Sequence, residues 1–172
     1  MQAARELGYQ PNPSAQKLAT GRANSVGFIF RSEKNVFLDM HFTEFLGGIA
    51  NRLAAAGVDL TFASTEPERE MEVYQRFATT RRADVLILSS PMIDDPRHKL
   101  LHDLKMPFVA HGRSGEVNDF HYYDIDNEGG FYVATKHLLE LGHRRIACVN
   151  STVHFKFAFD RNQGYERALG EE

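Results

Sequence analysis

A chain of 172 residues, 42% hydrophobic and 25% charged, is long enough for one domain with a real core and has the composition of an ordinary soluble globular protein. No apolar run approaches a membrane span, no signal-peptide pattern opens the chain, and the single cysteine excludes an internal disulfide, so a cytoplasmic protein is expected. The net charge of −3 argues against a general nucleic-acid binder; yet Arg5, Lys17 and Arg22 against Glu6 leave residues 1–24 at +2 and the remainder at −5, a slightly basic arm on an acidic body.

The arm comes first. Ala3-Ala4-Arg5-Glu6-Leu7 is helical in character and Gly8 ends it. Tyr9-Gln10 is extended, because residues before a proline avoid the helical region. Asn12 is a good N-cap and Pro13 suits the first helical position, so Ser14 to Thr20 can form two turns, with Gly21 as the stop. From residue 25 strands and helices alternate. Val26 to Phe30 reads as a buried strand. Phe42, Phe45, Leu46, Ile49, Ala50 and Leu53 form one helical stripe that Gly57 ends. Asp59 to Ala63 is a second strand, and Thr65-Glu66-Pro67-Glu68 has the pattern of a capping box opening a second helix, with Met71, Tyr74, Phe77 and Ala78 inward. Val85 to Leu88 is a third strand, followed by a short helix over 96–104. Pro107 to His111 and Tyr122 to Ile125 are strands four and five. Asp126 or Asn127 caps a third long helix, with Phe131, Ala134, Thr135, Leu138 and Leu139 inside and Gly142 as its stop. Arg145 to Asn150 reads as a sixth strand, with Cys148 a buried small hydrophobe within it.

This order predicts the α/β class: a parallel sheet flanked by helices, preceded by the short helix of the arm. In such sheets ligands bind beyond the carboxyl ends of the strands. The loops there contain Ser64, Ser89, Ser90, His111, Arg113, Asp126, Asn127 and Asn150, a polar rim suited to a small polar ligand. Polar loops also occur in any α/β protein, so the rim alone does not establish a site.

Several segments carry a family resemblance. The run Ala4-Arg5-Glu6-Leu7-Gly8-Tyr9-Gln10-Pro11-Asn12-Pro13-Ser14-Ala15-Gln16-Lys17-Leu18 resembles the junction between the helix-turn-helix domain and the hinge helix of lactose-repressor (LacI/GalR) family regulators. Arg82 to Leu88 resembles the third core strand of that family. Asp126-Asn127, Ala134 to Leu138, and Leu141-Gly142-His143-Arg144-Arg145-Ile146-Ala147 resemble a stretch highly specific to it, and Arg161, Gly164-Tyr165 and Ala168-Leu169 match the turn into the next helix. The resemblance implies a periplasmic-binding-protein-like fold of two similar subdomains around a sugar cleft, joined to a DNA-binding headpiece, in a homodimer. It divides this chain into the headpiece end and hinge (1–24), the N-terminal effector-binding subdomain (25–150), and a crossover into a truncated second subdomain (151–172).

The resemblance also implies roles. Paired hinge helices enter the minor groove of operator DNA, and the wedge residue corresponds to Leu18. Asn12, Ser14, Ala15, Lys17 and Arg22 are the accompanying DNA contacts, which position the protein but carry little sequence information. Eight residues form only a marginal helix in water, so this hinge is expected to fold against DNA. For the effector, a small sugar, the implied contacts are Phe37 or Phe42, Asp39, Arg113, Asp126 and Arg161. An aromatic face and a carboxylate suit sugar rings and hydroxyls. Asp126 is divided between sugar contact and helix cap. The aromatic loop over 31–42 is longer than the family norm and suggests a glucoside or disaccharide.

Other classes fare worse. No Gly-x-Ser-x-Gly elbow or phosphate-binding glycine loop is present, so no catalytic residue is expected. His98 and His102 have helical spacing for a metal, but no further ligand accompanies them, so no metal or cofactor is expected. A periplasmic-type sugar-binding protein shares the fold but has no use for the hinge motif. A truncated remnant without function is the remaining alternative.

Overall fold

The computed structural model describes residues 21–32, 38–115 and 119–171. Five strands form a parallel sheet in the order β2-β1-β3-β4-β5, where β1 is Ser25–Arg31, β2 Asp59–Thr65, β3 Val85–Ser89, β4 Phe108–His111 and β5 Tyr122–Tyr123. The helices are α1 (Met40–Ala55), α2 (Glu70–Thr79), α3 (Pro96–Asp103), α4 (Asn127–Glu140) and α5 (Lys156–Gly170). The chain divides into two compact units, one ending at Leu86 and the other beginning at Ile87.

In the first unit β1 and β2 pair from Ser25↔Asp59 to Arg31↔Thr65. Strand alternation puts Phe28 and Phe30 on one face, where Phe28 meets Phe42 and Phe45 of α1 at 6.2 and 5.9 Å and Phe62 of β2 at 6.2 Å. Gly27 on the opposite face admits the next layer: a Cβ there would lie 2.6 Å from Leu86 and 3.0 Å from Ala83. α2 buries Glu70, Val73, Tyr74 and Phe77, which follow one another at helical spacing. Met71, expected inward, is 37% exposed because it sits about a quarter-turn off that stripe. α1 spans the predicted stripe but fully buries no residue, and Ala50 is exposed. The helix lies on the β1–β2 pair from one side, which covers a narrower stripe than the sequence spacing implies.

The capping box does not form. Thr65 is the last residue of β2, its hydroxyl donates to the Glu66 carbonyl at 3.0 Å, and a 3-10 turn over Pro67–Arg69 precedes α2 without a side-chain cap. Glu70 instead accepts from Arg31 at 2.9 Å in a part-buried ion pair.

The second unit is organised around two features. One is the loop after β3. Asp95 caps α3 by accepting the Arg97 amide at 2.9 Å, and its carboxylate pairs with the Arg97 guanidinium at 2.5 Å, both side chains being almost wholly buried. Arg97 also donates to the Ser89 and Ser90 carbonyls at 3.3 and 3.2 Å, and Asp95 accepts the Met92 amide at 2.9 Å. Burial alone would raise the Asp95 carboxyl; the Arg97 hydrogen bond and charge, with the Met92 and Arg97 amides, outweigh it and hold the group below the usual carboxylate range. The other feature is the crossing of α4 and α5. A Cβ on Gly164 would lie 2.0 Å from the Glu128 carbonyl oxygen, so the two backbones approach as closely as only glycine allows.

Three expectations are corrected here. Residues 145–150 are not a strand; they run without a ladder, and Val149 is 94% exposed. Apolar character selects for a strand only when a neighbouring strand supplies hydrogen bonds. Here the local bonds come from side chains: Tyr165 donates to the Ile146 carbonyl at 2.8 Å, and Asn150 donates to the Ala158 carbonyl at 2.8 Å. Cys148, in the same stretch, is half-buried rather than buried. In α4 the buried positions are Asn127, Thr135 and Leu139, while Ala134 and Leu138 face outward.

Candidate functional site

At the carboxyl ends of β4 and β5 the chain assembles a charged ring. Arg113, two residues after β4, donates through Nε to Asp124 at 3.0 Å and through Nη2 to Asp160 at 3.4 Å. Asp160, on the first turn and a half of α5, is nearly buried and also pairs with Lys156 one turn earlier. Asn127, the first residue of α4, donates to Asp124 at 3.5 Å and accepts from Arg161 Nε at 2.9 Å. The Asp124 hydrogen bond, with the Asp160 charge, outweighs burial and raises Arg113, so its guanidinium stays charged.

Arg161 is held on three sides. Its guanidinium lies 5.4 Å from the Phe131 ring centre and 4.8 Å from that of Phe157, besides the bond to Asn127. Ile125, Asn127, Gly130, Phe131 and Arg161 line a recess of about 250 Å³ whose surface is mostly apolar. An apolar floor with a few fixed polar groups is the pattern of a small-molecule pocket. Asp126 stands at the same recess but serves as the N-cap of α4, accepting the Gly129 amide at 2.8 Å.

The expected site residues therefore separate. Arg113, Asp126 and Arg161 lie in the second unit, in or beside this ring. Asp39 and Phe42 lie in the first unit. Asp39 caps α1, accepting the His41 and Phe42 amides at 2.9 and 3.3 Å, and Phe42 packs on Phe30 at 5.7 Å. Phe37 and the hinge residues Asn12, Ser14, Ala15, Lys17 and Leu18 lie outside the described residues. Arg22 is exposed. The sequence reading missed Asp124, Lys156 and Asp160 altogether. The i, i+4 spacing of Lys156 and Asp160 ahead of Arg161 was the available signal.

His98 and His102 do not form a metal pair. His98 is sandwiched at 5.6 Å from Phe108 and 4.2 Å from Phe120, and His102 is exposed. Among the described residues no group of three metal-ligating side chains occurs. No helix there is long and apolar enough to cross a membrane.

Comparison with known proteins gives this arrangement a lineage. The family described as periplasmic binding proteins and the sugar-binding domain of the LacI family matches residues 23–172. The chain is 39% identical over 173 residues to the HTH-type transcriptional regulator AglR of Rhizobium meliloti, covering 100% of this chain and 49% of that protein. It is 32% identical to the HTH-type transcriptional regulator RafR of Escherichia coli, covering 98% and 50%. Among solved structures, a complex of the transcriptional regulator CelR with cellobiose superposes with a TM-score of 0.78 at 31% identity, covering 99% of this chain and 50% of that one. The chain thus spans about half the length of the curated relatives it matches. The chain belongs to the LacI family of sugar-binding domains and periplasmic binding proteins.

Proposed function

We propose that the chain is the hinge and part of the effector-binding core of a DNA-binding transcription regulator, a repressor of carbohydrate-utilisation genes that a small sugar controls. The observation that carries this reading is the extent of the match to AglR. It covers the whole of this chain, including residues 1–22 ahead of the sugar-binding family match. A binding protein serving transport has no use for that segment, and the relatives named are regulators, not enzymes.

In this reading residues 1–24 are the end of the headpiece and the hinge, residues 25–150 an effector-binding subdomain, and residues 151–172 the start of a second one. Operator DNA is contacted by Asn12, Ser14, Ala15, Lys17, Leu18 and Arg22, in a cytoplasmic homodimer. In the second unit the proposed effector contacts are Arg113 and Arg161, with Asp126 on the rim; in the first unit they are Phe37, Asp39 and Phe42. Asp124, Asn127 and Asp160 fix the two arginines in charged, forked geometry, which suits ring hydroxyls. Because CelR is seen with cellobiose, a disaccharide is the first effector to try.

The test is titration calorimetry of the complete regulator with glucose, cellobiose, maltose, melibiose and raffinose, followed by operator binding with and without the best binder. Micromolar binding of one sugar, weakened at least about tenfold by Arg161→Ala, and a change in operator affinity on adding that sugar support the reading. Binding of none of the five with intact operator affinity removes the sugar, and turnover of any of them removes the regulator.

A further inference from the structure

We infer that Asp84 is a positioning residue that fastens the segment leading out of the arm to the first unit, so that residues just before β1 cannot pivot independently of the sheet. Asp84 occupies the turn between α2 and β3. Its two carboxylate oxygens accept two successive backbone amides: Ala23 N–H donates to Oδ1 at 2.8 Å and Asn24 N–H to Oδ2 at 2.7 Å. Neither amide has a strand partner, because the β1–β2 ladder begins at Ser25↔Asp59. Charge-assisted bonds of this length are among the stronger backbone contacts, and a two-point contact fixes direction as well as distance.

The neighbouring contacts act on Asn24 and on the adjacent Ser25 from both sides. Asn24 holds a left-handed φ of 52°, its side chain donates to the Gly57 carbonyl at 2.8 Å, and its carbonyl accepts the Asp59 amide at 3.0 Å. Ser25 accepts the Asp84 amide on its carbonyl at 2.8 Å, while its hydroxyl donates to the Arg82 carbonyl at 3.0 Å. The turns before β2 and β3 therefore close on Ala23-Asn24-Ser25 like two jaws, and Asp84 is the only acidic side chain among the described residues that grips the two amides ahead of the ladder. The contact is not needed to build the sheet, whose first pair lies one residue further on. What it controls is the direction in which residues 22 and earlier leave the core.

The consequence for regulation rests on the proposed function: if residues 1–22 meet DNA, Asp84 is where a reorientation of the first unit reaches them without slack. The clamp itself does not depend on that reading, and two measurements separate them. In this chain, amide exchange by NMR compares the parent with Asp84→Ala and with Asp84→Asn, which keeps one acceptor oxygen. In Asp84→Ala, Ala23 and Asn24 should exchange at least about tenfold faster while Phe28 and Leu86 stay protected; in Asp84→Asn one of the two amides should remain slow. Unchanged rates at Ala23 and Asn24 in both variants overturn the clamp. Should Asp84→Ala fail to fold, the Asn variant alone decides by the same criterion.

In the complete regulator, Asp84→Asn should leave affinity for the best sugar of the panel above unchanged. It should reduce that sugar's effect on operator affinity by at least about fivefold. An undiminished sugar effect overturns the coupling role even if the clamp exists. A parent regulator that binds neither sugar nor operator refutes the proposed function instead, takes the coupling role with it, and leaves the exchange result standing.

Discussion

Asp95 and Arg97 show how far two residues can determine a loop. Their side chains are 0% and 3% exposed, so removal of one partner leaves a charge with no water to replace it. Arg97→Leu should destabilise the chain by about 3–5 kcal/mol, whereas the double change Asp95→Leu with Arg97→Leu should recover most of that loss in urea unfolding. Equal losses in single and double variants would mean the pair contributes through shape rather than charge. His98 provides a pH-dependent counterpart. Burial between Phe108 and Phe120 lowers it from 6.5, with Arg97 adding to this and Asp95 and Asp119 opposing, and its Nε2 is buried without a hydrogen-bond partner. A folded-state value below the unfolded one means the unfolded chain binds more protons. The associated stability is present above about pH 6.5 and is lost as pH falls through the folded value. Thermal unfolding should therefore come earlier at pH 5 than at pH 7.5, and His98→Phe should shrink that difference; an unchanged difference assigns it to other groups.

Elements obey two glycine rules here, with opposite signs. Gly47 lies within α1 and faces open space, so Gly47→Ala should stabilise by about 0.5–1 kcal/mol by helix propensity alone. Gly164 lies within α5 against the α4 backbone, where a methyl group has no flexible neighbour to displace, so Gly164→Ala should destabilise by about 3 kcal/mol. Chemical denaturation of both variants distinguishes the cases, and a stabilising Gly164→Ala would mean the helices part at no cost. The sequence carried most of this layer. The helical stripe after residue 40, the buried strands at 26–30 and 85–88 and the Asp126 cap were legible because period and cap chemistry are local. The strand expected over 145–150 was not, because a ladder requires a partner that no local pattern encodes. The Thr65 box failed for a related reason: β2 extends to Thr65 and takes its backbone before the helix can use it.

At the scale of the whole molecule, the sequence told more about lineage than about contacts. Arg113, Asp126 and Arg161 were named through resemblance, but Asp124 and Asp160, which hold Arg113, and Lys156, which pairs with Asp160, were not, since their contacts appear only when β4, β5 and α5 meet. The segment proposed to meet DNA supplies the remaining test of the proposed regulator. Leu18→Ala in the complete protein should weaken operator binding at least about tenfold, because a wedge that unstacks a base step is lost, while sugar affinity measured by calorimetry stays unchanged. Unaltered operator affinity would remove the wedge role from Leu18. A last consequence follows from the residue three positions beyond the α4 cap. A Cβ on Gly129 would fall 2.2 Å from Asp126 Oδ2, the carboxylate oxygen not engaged by the helix amide. Gly129 thus acts by what it lacks: the missing methyl leaves the capping carboxylate room to lie against the start of the helix. Gly129→Ala, which adds only carbon, would push that carboxylate away from the amide it caps and loosen the first turn of α4 without changing any charge.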